Sequence, residues 1–437
     1  MSSILGRSVA FVGLASALLP LVVAWPLGAA AATETTLHRF CAPTCKYGSH
    51  SDGIALDPAS KNLFGVTEAG GVGHGGVVYE FAPGTGAYTV LYTFCTRRGC
   101  PDGAGPRAVQ PVIDTSGDLY GTTYAGGSGL YGGNPGVVFE LIPGNGTWRE
   151  KVLYTFCSRT NCKDGSKPQS GLTYAGESAG QPYDGVSPLY GTTSAGGANN
   201  GQGTVFSIAP RTGTKKWTEK VLYSFCAQAN CTDGIGPRAA LSIDPNGNLF
   251  GTASEGGQFQ GGAVFEVSPN GGTYTESVLY SFCAQANCTD GAAPFGGVML
   301  DQSGNLFGTA SGGGTSNDGV LFELVPAGSQ WKYSVLANFD GTNGASPSGP
   351  LSPDGAGGVY GTTAGFTDGA SATVFDFNGT LQTLYTFCTQ KGCPDGQNPA
   401  SNLILDGSGN LLGTTQEGAK GHKGIGGGAG TLFEISP

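Results

Sequence analysis

The chain has 437 residues, 79 of them glycine, with 12% charged residues and a net charge of −10. With 17 Tyr and 22 Phe against 2 Met, it predicts many short strands and excludes a helical bundle. Glycine at no fixed third position excludes collagen, 39% apolar residues exclude simple disorder, and an acidic chain without a basic stripe argues against nucleic acid as a partner.

In chain order, Arg7 precedes an apolar run from Val9 to Ala24, and the small residues Gly28 to Ala32 follow. This order predicts a secretory signal over residues 1–32, leaving residues 33–437 as a single domain. The run is shorter than the ~20 apolar residues of a membrane span, and no later segment reads as one. Export gives twelve cysteines an oxidising compartment, so the expected location is extracellular or periplasmic.

A block of L-Y-x-F, a Cys pair, Asp-Gly, Pro, D-x-x-G-N-L-F-G-T-T and V-F-E-L-x-P then recurs along the chain. Its motif glycines are Gly65, Gly121, Gly191, Gly251, Gly308, Gly361 and Gly413, separated by 56, 70, 60, 57, 53 and 52 residues. The long third copy carries an insert, Ala175 to Pro188. In the fourth copy, Arg238 to Ile243, Asn248 to Ala253, Ala263 to Ser268 and Thr275 to Phe282 read as four strands, with Asp244 opening a type I turn. Four short antiparallel strands in seven copies predict an all-β, seven-bladed propeller. The last copy stops at a third strand, Leu432 to Ser436, while the segment 35–40 matches the fourth strand Val90 to Phe94. The N-terminal strand is therefore expected to complete the last blade and close the ring.

Five cysteine pairs are C-x4-C: Cys95 with Cys100, Cys157 with Cys162, Cys226 with Cys231, Cys283 with Cys288, and Cys388 with Cys393. The first pair, Cys41 with Cys45, is one residue shorter. The sixth copy lacks both cysteines, which predicts that each pair is a disulfide, closing a short loop worth on the order of 2 kcal/mol. His38, His50, His74 and His422 have no ligand spacing, so neither a metal nor another cofactor is expected.

The blocks Leu119-Tyr120-Gly121-Thr122-Thr123 with Val138-Phe139-Glu140-Leu141, and Leu189 to Thr193 with Val205-Phe206, resemble the GloVer repeat of bacterial choice-of-anchor tandem-repeat proteins. The resemblance spans residues 35–437. It implies a bacterial, exported repeat protein without an established biochemical role, and it assigns no catalytic residues.

Most of the 31 carboxylates occupy repeat positions. These are the Asp-Gly aspartates, Asp52 counted among them, the aspartates opening the first turn, and the acids after the third-strand aromatic. Outside that register, Glu68, Glu255, Asp318, Asp368 and Glu417 fall in the loops joining second to third strands. Tyr124, Tyr131, Phe259 and His422 lie in the same loops, while Arg107, Gln169, Arg238, Phe295, Ser348 and Ala400 follow each blade's proline near the channel mouth. Aromatics, amides and a few charges on one face suit sugar rings. Glu68, Arg107, Tyr124, Arg238, Glu255, Asp318, Asp368 and Glu417 are therefore the expected ligand-binding residues of a monomeric binding or scaffold module. Its expected partner is an extracellular glycan or a surface protein. The alternative is a polysaccharide-active hydrolase or lyase, which would need two of those carboxylates roughly 5–10 Å apart.

Overall fold

The computed structural model describes residues 32–41, 45–107, 110–128, 133–211, 213–214, 216–365, 370–419 and 428–436. Residues 1–31 of the expected signal, Tyr131, Asp368 and His422 lie outside the described residues. Seven antiparallel sheets of four strands, with the innermost strand split in two of them, form a ring of blades. The fold is a seven-bladed β-propeller, and among the described residues no helix is long and apolar enough to cross a membrane.

The fourth blade shows why the repeat folds this way. Its inner strand, split into Ile235–Pro237 and Ser242–Ile243, pairs with the second strand Leu249–Glu255. Ala263–Asn270 and then the outer strand Thr273–Ser281 follow. Third strands read as continuous apolar runs because each is covered on both faces by neighbouring blades: Val320, Leu321, Phe322 and Leu324 are fully buried. A bulge where the third strand meets the outer one, as at Val264/Phe265 and Leu321/Phe322, adds the twist that a blade needs.

The repeat motif has a structural cause at both of its residues. Gly308 lies opposite Phe322 in register, and a Cβ there would sit 2.4 Å from the phenyl Cζ. The glycine therefore admits an aromatic ring laid across the strand. The threonine after it reaches the next blade: Thr192 donates to the carbonyl of Ala239 at 3.1 Å and Thr252 to that of Gly296 at 2.8 Å.

All six expected cysteine pairs are disulfides. Cys41 joins Cys45, Cys95 joins Cys100 and Cys157 joins Cys162. Farther along, Cys226 joins Cys231, Cys283 joins Cys288 and Cys388 joins Cys393. The second cysteines Cys231 and Cys288 each end a single 3₁₀ turn, Ala229–Cys231 and Ala286–Cys288, and Cys393 shares their left-handed backbone (φ 46°). Beside five of the bridges the Asp-Gly aspartate caps the loop. Buried Asp164 accepts from Tyr154 Oη at 2.7 Å, Ser158 N at 2.8 Å and Arg159 N at 3.2 Å. Asp102, Asp233, Asp290 and Asp395 do the same for Tyr92, Tyr223, Tyr280 and Tyr385. In the copy without cysteines, Asp340 caps its turn through Thr342 N and Asn343 N.

The ring closes as expected. Thr33–Arg39 pairs antiparallel with Thr431–Ser436, from Thr33↔Ser436 to Arg39↔Thr431. Across the same seam the buried Asn402 amide accepts from Ile54 N at 3.1 Å and donates to Ile54 O at 2.9 Å.

Candidate functional site

Alternation of strand direction puts the loops joining second to third strands on the same face as the disulfide loops between blades. Of the exposed large hydrophobic residues, Tyr47, Val72, Phe259 and Phe295 belong to this face and Val186 to the insert on the other.

Asp52, expected among the Asp-Gly aspartates, stands elsewhere. Gly48 follows Cys45 by three residues as Gly103 follows Cys100, and a Cβ on either would meet a second-strand threonine, Thr67 Oγ1 at 2.5 Å or Thr123 Oγ1 at 2.4 Å. Two residues later both copies take a left-handed conformation, at His50 (φ 57°) and Gly105 (φ 63°). Tyr47 thus fills the capping aspartate's place, and Asp52 is the first blade's counterpart of Arg107. A ring of seven residues surrounds the channel mouth: Asp52, Arg107, Gln169, Arg238, Phe295, Ser348 and Ala400. The spacing of the second cysteine to the glycine carried this signal in the sequence.

Polar residues make up one arc of the ring. Arg107 forms an ion pair with Glu68, and its guanidinium lies 4.9 Å from the ring centre of Tyr124, which Lys167 also approaches at 5.7 Å. Burial opposes the charge of Arg107, but the Glu68 carboxylate, with Asp52 and Tyr124 nearby, outweighs it and raises the guanidinium pKa. Gln416 of the last blade donates its amide to Asp52, and Gln169 donates to Ser194 Oγ at 2.7 Å. Next around the ring, Arg238 lies 5.5 Å from the ring centre of Phe295 and 3.5 Å from Glu255.

The structure therefore brings Glu68, Arg107 and Tyr124 into one cluster and Arg238 with Glu255 into another. Asp318 belongs to the fifth blade, where its backbone carbonyl accepts from Ser346 N at 2.8 Å. Glu417 ends the second strand of the last blade opposite Gln397. Asp52, Lys167 and Gln416, which the sequence did not nominate, complete the first cluster.

Beneath the mouth runs a channel of about 860 Å³ to which all seven blades contribute, with small residues such as Ala240, Ser242 and Gly297 interspersed with apolar ones such as Leu241, Val298 and Leu351. The third blade's insert reaches its far end. Tyr183, buried, meets Tyr120 edge-on at 5.3 Å, and Ser178 donates to Ile243 O of the fourth blade at 3.2 Å. Glu177, next to Ser178, lines the channel. Burial pushes its carboxyl up to about 7, against the opposing hydrogen bonds from Thr173 and the Tyr174 amide.

No curated protein matches the chain. Among solved structures, a Bacteroides uniformis protein described as a 6-phosphogluconolactonase is 15% identical, with 76% of this chain and 83% of that one covered at a TM-score of 0.46. A chain of a nidogen/laminin complex is 14% identical over 75% and 92%, TM-score 0.39. A Thermus thermophilus protein described as an oxidoreductase (glucose dehydrogenase) is 12% identical over 93% and 100%, TM-score 0.39. The family model of the Gloeobacter/Verrucomicrobia repeat matches three times, over residues 24–187, 178–375 and 276–437, and the chain belongs to that repeat family.

Proposed function

We propose that the protein is an exported binding module that takes an extracellular carbohydrate at the channel mouth of its disulfide-bearing face. The supporting observation is the composition of the mouth: a polar arc from Asp52 to Arg238 faces an arc of Phe295, Ser348 and Ala400 above a largely apolar channel. A few oriented polar groups beside an aromatic surface are what a ligand with hydroxyl edges and apolar faces requires. Six disulfides suit an oxidising compartment, and the repeat family gives the blades their common frame.

A glycan array probed with residues 33–437, followed by incubation with each hit and end-group analysis, tests this reading. Retention of a glycan without new reducing ends, weakened by Tyr124→Ala, is the expected result. New ends abolished by Glu255→Gln would replace the binding module with an enzyme. No glycan retained, with a surface protein captured at the same mouth, would replace the ligand.

A further inference from the structure

Arg238 is the one basic residue lining the channel among the described residues. Its one ion pair among them is the 3.5 Å approach to Glu255, whose side chain is 63% exposed, so solvent screens that attraction. Its Nε is buried and lacks a hydrogen-bond partner, although buried donors are ordinarily satisfied. The guanidinium is held over Phe295, which is itself 38% exposed. The acids lining the channel are differently placed: Asp52 is engaged by Gln416 and lies near Arg107, Asp301 accepts from Ser303 N and Asn305 N of its own turn, and Glu177 is at the opposite end of the channel, held by Thr173.

Arg238 is therefore a cation held beside an aromatic surface, its side chain 39% exposed at the channel mouth and so open to a ligand. Just inside the ring the second, third and fourth blades approach one another: a Cβ on Gly171 would lie 3.5 Å from the Gln110 backbone and 3.8 Å from Ala240 Cβ.

We propose that the carbohydrate carries an acidic group, a carboxylate or a sulfate ester, which the Arg238 guanidinium binds while the sugar's apolar face packs against Phe295. This inference rests on the carbohydrate reading above. The planar fork of an arginine matches either oxyanion, and a charged acceptor makes the stronger hydrogen bond.

Calorimetric titration of residues 33–437 with tetragalacturonate, its methyl ester, a sulfated galactose tetramer and neutral cellotetraose tests the inference. Methyl esterification is expected to weaken binding about tenfold or more. Arg238→Gln should impose the same loss on the acid and leave the ester unchanged, while Arg238→Lys should recover part of the affinity. The sulfated tetramer distinguishes a general oxyanion site from one selective for carboxylates. Ester and acid binding equally, or cellotetraose binding best, would overturn the acidic-group assignment and leave the carbohydrate reading standing. Failure of all four, together with a blank glycan array, would remove both.

Discussion

Glu276 stands in the seam between the third and fourth blades where Glu219 stands one seam earlier, and of the two only Glu219 has an arginine against it, Arg159 at 2.9 Å. Both glutamates lie on outer strands opposite the residue two after the third-strand aromatic, Ile208 for Glu219 and Val267 for Glu276. Each also faces the preceding blade's capping aspartate, Asp164 or Asp233. The residue two after the first cysteine of the loop is Arg159 in one seam and Gln228 in the other. Burial first, and then the neighbouring aspartate, push Glu276 up to about 8. Glu219, also raised mainly by burial, is restrained by Arg159 and reaches about 7.

A folded-state pKa above the unfolded value means that the native protein keeps a proton the unfolded chain has lost. The stability contribution is therefore complete below the ordinary carboxylate range near 4.5 and is lost as pH rises toward 8. Glu276→Gln should leave stability at pH 4 nearly unchanged and raise it at pH 8 by on the order of 2 kcal/mol. Gln228→Arg should shift the remaining loss toward the behaviour of the Glu219 seam. Denaturant midpoints across pH 4–9 check both. Parallel curves for wild type and Glu276→Gln would show that this carboxyl does not set the pH dependence.

Asn402 satisfies both backbone groups of Ile54 across the closing seam. Removing the amide with Asn402→Ala strands a buried N–H and a buried carbonyl, and should cost about 2–3 kcal/mol. Urea unfolding measures it. A loss below about 0.5 kcal/mol, the range of ordinary surface substitutions, would mean that the seam is closed by the strand pairing alone.

In each capped loop the aspartate should matter more than the covalent link. Serine at both Cys157 and Cys162 releases only a short loop and should cost about 2 kcal/mol. Asp164→Ala leaves Tyr154 Oη, Ser158 N and Arg159 N without their acceptor, and should cost about 3 kcal/mol or more. Thermal unfolding of the two variants ranks them, and the reverse order would refute this reading.

Gly308→Ala places a methyl group 2.4 Å from Phe322 Cζ in a fully packed strand pair. It should destabilise by about 1–3 kcal/mol, with Phe322→Leu in the same chain recovering part of the loss. Equilibrium denaturation of the single and double variants decides whether the ring is what fixes the glycine.

The blade count and the closing strand were legible because their causes are local and repeat. Gly308 and Phe322 are partners within one sheet, so the constraint returns in every copy as a motif. The strand shortage at one end of the repeat matched its surplus at the other. Asp52 was misplaced because the first copy also has an Asp-Gly step, five residues beyond the Tyr47-Gly48 step that the cysteine spacing defines. The site was legible in part. Arg107 and Arg238 follow the repeat's proline and share a ring position, but Glu68 and Glu255 do not correspond. Glu68 lies two residues before Gly70 and Glu255 one before Gly256, and a strand's period of two gives such positions opposite sides. The Glu219 and Glu276 seams lie between blades, where no pattern within a single repeat reports them.

The pairing of Thr33–Arg39 with Thr431–Ser436 sets an order of events during folding. The strand Thr33–Arg39 finds its partner only at the far end of the chain, so the loop that completes the final blade is the longest in the molecule and the slowest to close. Until then two sheet edges stay open to pairing with another chain.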